Sequence, residues 1–210
     1  MNARRRAHPG GVEERPIAWP GDPESLTAEA VDFEALAHVL ANTCRRDGRL
    51  RRFHSLAAHA VTMSEAIEDL SGSGGEDVRG AALHALLFEA SVAWLGPDAA
   101  PSRRSTPQLR RLGGKIDRAV REAAGLDTKP TSAHAELVRF VARMAESAEV
   151  RDVPGASGNA APAVAFPPLD RRIRPIDPAR AARLWLDRFN DLRKNPGAGG
   201  SVAASAPEKS

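Results

Sequence analysis

One long apolar segment, Val78–Trp94, limits what this chain can fold into more than any other part of the sequence. Its leucines and alanines recur at the three- and four-residue spacing of an α-helix, and they cover most of the helix circumference. A helix at a protein surface needs only one apolar stripe, so a helix that is apolar almost all round has to be surrounded by other elements. The segment therefore predicts a central buried helix in a helical bundle.

Five further segments show helical periodicity, and none shows the alternation that is typical of a strand. Asp32 and Asp177 are favourable N-cap residues, and Pro178 suits the first position of a helix. The predicted helices run through Phe33–Cys44, Leu56–Ile67, Gln108–Ala124, Ala133–Ala148 and Pro178–Phe189. We therefore expect an all-α fold, a bundle of about six helices around the central one.

Composition and charge indicate an ordinary globular protein. Of the 210 residues, 42% are hydrophobic and 4% are aromatic, and 30 Lys and Arg nearly balance 27 Asp and Glu. This balance favours a mixed solvated surface and makes nucleic acid an unlikely partner. A lone cysteine, Cys44, excludes an internal disulfide and a multi-cysteine zinc site. Because there is neither a secretory signal nor an apolar run long enough to span a membrane, we expect a cytoplasmic protein without a membrane partner.

Pro, Gly and Ser divide the chain into a domain and its flanking segments. The composition of residues 1–30 predicts a flexible basic arm, and that of residues 193–210 predicts a disordered tail. The helical domain takes up residues 31–192, with a loose insertion at 153–168.

The segment Ala85–Pro101, with the sequence ALLFEASVAWLGPDAAP, resembles the central segment of the HD-domain metal-dependent phosphohydrolases. In their 5'-deoxynucleotidase-like branch the pattern is close to A-L-L-H-D-A-S-E-A-Y-L-G-D. Phe33–Val61 is similar to the first two helices of that family, and Arg171–Leu192 is similar to its closing segment. The resemblance implies an HD-like helical fold over about Val31–Leu192.

The same resemblance identifies where a metal site would lie. His59 stands at the family's first metal-binding histidine, and Glu89 and Glu136 stand at two of its aspartates, so these three are the remnant metal-site positions. The expected histidine or acid is lost at Phe88, Val92 and Pro97. A phenylalanine ring cannot bind a metal, and it lowers the local polarity that a cation requires. Longer glutamate arms also demand a different ligand spacing.

Three further residues are candidates for site chemistry. His84 lies one helical turn before Phe88, so it is a possible relocated metal ligand or, alternatively, a structural histidine of the core. By the resemblance, Arg45 stands near the family's substrate. Arg45 and Arg46 are therefore possible phosphate-binding residues, and the alternative is a solvated basic loop.

Together these positions favour a degenerate HD-domain protein without ordinary metal-dependent catalysis. Its function would be to bind a nucleotide or another anion, a protein partner, or a second copy of itself through apolar faces around Trp94 and Trp185. One alternative is an active nucleotide phosphohydrolase with a rebuilt site, which alone would require Mn, Co, Ni or Mg as a cofactor. Another is non-specific nucleic-acid binding through the basic loops.

Overall fold

The computed structural model describes residues 22–72, 75–96, 106–153 and 166–194. Within these ranges the protein is all-helical, as predicted, and contains no strand or sheet. The α-helices, numbered in chain order, are α1 (Phe33–Asn42), α2 (Leu56–Ser71), α3 (Glu76–Leu86), α4 (Val92–Leu95), α5 (Pro107–Ala123), α6 (Ser132–Asp152) and α7 (Pro178–Lys194). Two short 3-10 helices are Ala28–Ala30 and Arg45–Gly48.

The predicted capping residues begin the first and last helices. The Asp32 side chain accepts hydrogen bonds from the backbone N–H groups of Glu34 and Ala35, at 2.8 and 3.1 Å. Asp177 Oδ1 accepts from the backbone of Arg180 at 2.9 Å. Each carboxylate satisfies donors that have no partner inside the helix, which confirms both predicted starts.

The predicted central helix over Val78–Trp94 is not continuous. Helix α3 ends at Leu86 and α4 begins at Val92, and the residues between them form a turn. Through this break backbone N–H groups bond to the carbonyl three residues earlier, as in Phe88 to Ala85, at 3.2 Å. Apart from Phe88, whose ring is exposed, this tighter winding leaves the apolar side chains buried, so hydropathy alone does not show the break.

Helix α2, and not the interrupted segment, takes the central position. It packs against α1, α3, α6 and α7, and nearly all of its residues from Leu56 to Ile67 are buried. Helix α3 packs against α2, α6 and α7. The residues of α2 that point between these neighbours are thus the ones best placed to form an enclosed site.

Trp185 belongs to the hydrophobic core of the domain and does not lie on its surface. It is completely buried, it stacks with Phe189 and Phe33, and its Nε1 donates to the carbonyl of Leu86 at 3.3 Å. It therefore presents no surface for self-association, while Trp94 is half-buried.

The predicted arm (1–30), insertion (153–168) and tail (193–210) lie mostly outside the described residues. The described end of the arm packs on the domain, because Leu26 is buried in the core and Ala28–Ala30 contacts α5. None of the helices in the described ranges has the length and apolar character needed to cross a membrane.

Candidate functional site

The loop Arg45–His54 joins α1 to α2 and is closed at its base by backbone pairing. Cys44 and Ser55 form an isolated antiparallel bridge, and the N–H group of Arg45 donates to the carbonyl of His54 at 2.8 Å. Ser55 then caps α2 by accepting from the backbone of Ala58. Because the ends of the loop are paired, Arg45 and His54 lie side by side.

Three consecutive residues of this loop have left-handed backbone conformations. The φ angles of Arg46, Asp47 and Gly48 are +52°, +53° and +74°. A left-handed conformation costs a residue with a Cβ atom about 1–2 kcal/mol, and it persists where the surroundings hold it. Here Arg46 Nη2 donates to Glu146 Oε1 of α6 at 2.9 Å, which ties the strained loop to the domain.

The centre of the site is Glu149, a buried acid of α6 that is not part of the family pattern. His59 Nδ1 donates to Glu149 Oε1 at 2.5 Å. His54 Nε2 lies 3.3 Å from the same oxygen without the alignment of a good hydrogen bond. The Arg45 guanidinium donates to both carboxylate oxygens, each at 3.4 Å. We call Arg45, His54, His59 and Glu149 the Glu149 cluster.

The Glu149 cluster holds its acid ionised. Burial alone would raise the pKa of Glu149, but the charge and hydrogen bond of His59, the nearby polar side chain of His54 and the charge of Arg45 together hold it well below its ordinary value. Burial likewise opposes the charge of Arg45, and Glu149 and Glu89 outweigh it and raise the pKa of Arg45. A buried ion pair of this kind is stable only when each member keeps its partner.

Arg45 also binds the remnant position Glu89. Its Nη1 lies 3.0 Å from Glu89 Oε1 and 3.4 Å from Oε2. His59 and Glu89 are thus connected through Arg45 and Glu149. The guanidinium predicted as a possible phosphate-binding group is engaged by two acids of the chain itself, and Arg46 is engaged by Glu146.

Glu136 is not brought to this cluster. It is exposed in the second turn of α6, thirteen positions before Glu149. At 1.5 Å per residue this separates the two backbone positions by about 20 Å along the helix, and the thirteen-residue offset turns them to nearly opposite faces. Because Glu149 contacts His59, Glu136 is too far away to share a metal with that histidine.

The positions at which a family ligand is missing border an open cleft. Phe88 and Val92 both line it, and Phe88 is 44% exposed there. Pro97 lies outside the described residues. In the part of the chain that the structure describes, no group of three or more His, Cys, Asp or Glu side chains is arranged to hold a metal ion.

The cleft has a volume of about 540 Å³ and combines an apolar wall with cationic groups. The apolar part consists of Phe88, Val92, Pro130, Ala135 and Val138, and the cations are Arg110, Arg121 and Arg139. Two acids, Glu89 and Asp117, also line it, and Arg45 neutralises the first. The volume lies within the usual range for small-ligand sites.

His84 lines the same cleft as a neutral imidazole. Burial first, and then the nearby His134 and Arg121, lower its pKa from 6.5 to about 4. The His134 ring lies 5.6 Å away, and its Nε2 is 2.7 Å from Asp77 Oδ1. His84 therefore offers the cleft a neutral hydrogen-bonding group, and no metal-binding group of the described residues includes it.

Glu149 could have been found from helical spacing. It lies four residues after Ala145 and eight after Val141, both of which belong to the apolar face of α6. An acid on a buried face needs a partner, which is a signal for a polar cluster. The family pattern drew attention instead to Glu136, near the start of the helix.

The chain is similar to a bacterial protein over most of its length, and this likeness shows no family. The chain is 27% identical over 171 residues to the protein described as "Uncharacterized protein YfdR" of Escherichia coli (strain K12), and the match covers 80% of this chain and 88% of that protein. No protein-family model matches the chain.

Proposed function

We propose that this protein is a degenerate HD-domain-like protein that binds a nucleotide or a similar phosphorylated molecule in its cleft, without ordinary metal-dependent catalysis. The observation that supports the proposal is that the exposed Phe88 ring lines the same cleft as Arg110, Arg121 and Arg139.

A nucleotide matches both parts of this lining. Its base is planar and stacks on an aromatic ring, and its phosphate accepts charge-assisted hydrogen bonds from guanidinium groups. Among the described residues, none forms a hydrogen bond or ion pair with the Arg110 or Arg139 side chain. The neutral His84 adds a group that can donate to or accept from the base.

The Glu149 cluster supports a role without a metal. A rebuilt site would use His59 and Glu89, but His59 donates to Glu149 and Glu89 binds Arg45. The guanidinium supplies a fixed positive charge between two acids. A divalent cation in the same place would have to displace Arg45 and overcome its repulsion.

The test of binding is a titration of the purified protein with deoxynucleoside monophosphates, followed by calorimetry and by melting temperature. We expect saturable binding and a concentration-dependent rise in melting temperature. The Phe88→Ala and Arg110→Gln variants should weaken binding about tenfold or more, because they remove the stack and a phosphate-binding group. Arg183→Gln is the matched control, since Arg183 is exposed on α7, away from the cleft.

The rival is an active nucleotide phosphohydrolase, and metal content decides between the two. Elemental analysis of the protein and phosphate release with added manganese, cobalt or nickel should both be negative. Stoichiometric metal with turnover that His59→Ala abolishes would contradict the proposal. If neither nucleotide binding nor turnover is found, the remaining role is recognition of a protein partner.

A further inference from the structure

A basic groove adjoins the cleft on the outer side of α5. It is lined by six cationic side chains, Arg110, Arg111, Lys115, Arg118, Arg121 and Lys129, and it has a volume of about 720 Å³. Arg110 and Arg121 line both the groove and the cleft, so the two depressions are adjacent.

The cations of the groove are arranged in a row. Arg111, Lys115 and Arg118 follow one another at four- and three-residue spacing, so they share one face of α5. The opposite wall is the segment of Thr128 and Lys129, whose position is fixed by the Arg121 Nε bond to the Thr128 carbonyl at 3.2 Å. The row extends about 10 Å along the helix.

Among the described residues that line the groove, one is an acid. Glu24 is the acid that lines the groove, and it engages Lys115. Among the described residues, none pairs with the side chains of Arg111, Arg118 or Lys129. Burial and the neighbouring Arg118 both lower the pKa of Arg121, as expected where like charges crowd, and Asp117 opposes them.

We infer that the groove and the cleft together bind single-stranded nucleic acid, with the backbone along the groove and one base stacked on Phe88. Sites for single strands combine a positively charged groove with an aromatic platform. The sequence separates the two features by more than twenty residues, and the fold places them side by side, with Arg110 and Arg121 lining both. The inference rests on the proposed use of the cleft for a nucleotide base.

The structure favours a single strand over a double helix. The aromatic ring forms part of the wall of the cleft, and a base presents its face to such a ring when it is unpaired and turned out of a stack. The groove itself has no aromatic lining and carries only the backbone contacts, so little sequence preference is expected.

The experiment is fluorescence anisotropy with a labelled single-stranded oligonucleotide of about ten nucleotides, which is long enough to span the groove and reach the cleft. The full chain is compared with three variants. Arg111→Gln/Arg118→Gln changes only the groove, and Phe88→Ala changes only the cleft. Arg180→Gln/Arg183→Gln removes the same charge from exposed positions of α7.

We expect binding that weakens with salt, because counterions are released from the strand. The groove variant should bind at least about tenfold more weakly, and its log–log salt slope should be smaller by about 0.7 for each phosphate that the variant no longer neutralises. Phe88→Ala should bind at least about fivefold more weakly because the stack is missing. The α7 control should bind as the unaltered protein does.

The failure of this inference can be told apart from that of the proposed function. If a mononucleotide binds as tightly as the oligonucleotide, or the groove variant binds as well as the unaltered protein, the groove is not a binding site and the cleft proposal stands. If a duplex of equal length or inorganic polyphosphate binds as tightly as the single strand, the role of Phe88 is overturned. Oligonucleotide binding that needs Phe88, in the absence of mononucleotide binding, supports the groove and contradicts a mononucleotide ligand.

Discussion

His59 Nδ1 lies 2.5 Å from Glu149 Oε1, so a histidine in the first turns of α2 and an acid near the end of α6 are joined inside the core. The carboxylate can only accept, so the proton of this bond lies on Nδ1 of the histidine. The bond turns His59 towards a protein partner and gives a fixed orientation to the residue that the family resemblance places at a metal.

Replacement of Glu149 should destabilise the protein strongly. In Glu149→Gln the charge of Arg45 stays buried without its main partner, and the loss of one member of a buried pair typically costs about 3–5 kcal/mol. Urea denaturation would measure this decrease in the free energy of unfolding. The exposed Glu136→Gln in the same helix should change it by less than about 0.5 kcal/mol. Equal effects of the two substitutions would show that the cluster contributes nothing to stability.

The advantage of the native chain over Glu149→Gln should disappear in acid. The pKa of Glu149 is lowered in the folded state, so the unfolded state binds more protons as the pH falls below the ordinary value of 4.5. The stability from the ionised carboxylate is therefore complete above that pH and is lost as the pH falls further, towards the folded pKa. Denaturation curves of both proteins between neutral pH and pH 3 would measure the difference; a constant difference would contradict an ionised Glu149.

His84 should cause a separate loss of stability on acidification, at pH values above those at which Glu149 is protonated. Its pKa falls from 6.5 to about 4 on folding, so between these values the unfolded chain binds a proton that the folded chain does not. Stability therefore decreases as the pH falls from 6.5 to about 4. His84→Gln should flatten this part of the curve of unfolding free energy against pH. His38→Gln, at an exposed position of α1, should leave it unchanged.

The left-handed loop predicts different outcomes for two substitutions of Asp47. A β-branched residue at φ +53° is strained more than aspartate, so Asp47→Val should lower the free energy of unfolding by about 1–2 kcal/mol. Asp47→Gly should be neutral or slightly stabilising, because glycine adopts this conformation without strain. Thermal unfolding of the two variants gives the order. If valine were the more stable of the pair, the loop would not be left-handed in solution.

Sequence periodicity was sufficient for the elements whose stability is local. The Asp32 cap and the apolar face of α1 both act within one helix, and the bounds of α1 agree with the structure within two residues at its end. The break between α3 and α4 was missed, since it changes hydrogen bonding and not hydropathy. The prediction of Glu136, where the structure has Glu149 beside His59, failed for a different reason. A short motif identifies residues by likeness, whereas the contact of Glu149 with His59 depends on how α2 and α6 pack.

The sequence also could not predict that Phe88 and the arginines of α5 line the same cleft. The α5 segment Pro107–Ala123 contains no aromatic residue, so the sequence does not connect its arginines with an aromatic ring. The turn after α3 exposes the ring, and the packing of α5 against the domain brings the guanidinium groups to it. Such a site is formed only by the packing of the helices, so no local sequence pattern indicates it.

The Glu149 cluster has a consequence for the order of events in folding. The cluster joins residues 90 and 104 positions apart in the chain. Closing loops of this length is slow compared with forming single helices, so we expect the cluster to assemble after the folding barrier has been crossed. Substitutions in it should then accelerate unfolding while leaving the folding rate nearly unchanged. The buried charges would then determine the unfolding rate, and thus the lifetime of the native state, more than the folding rate.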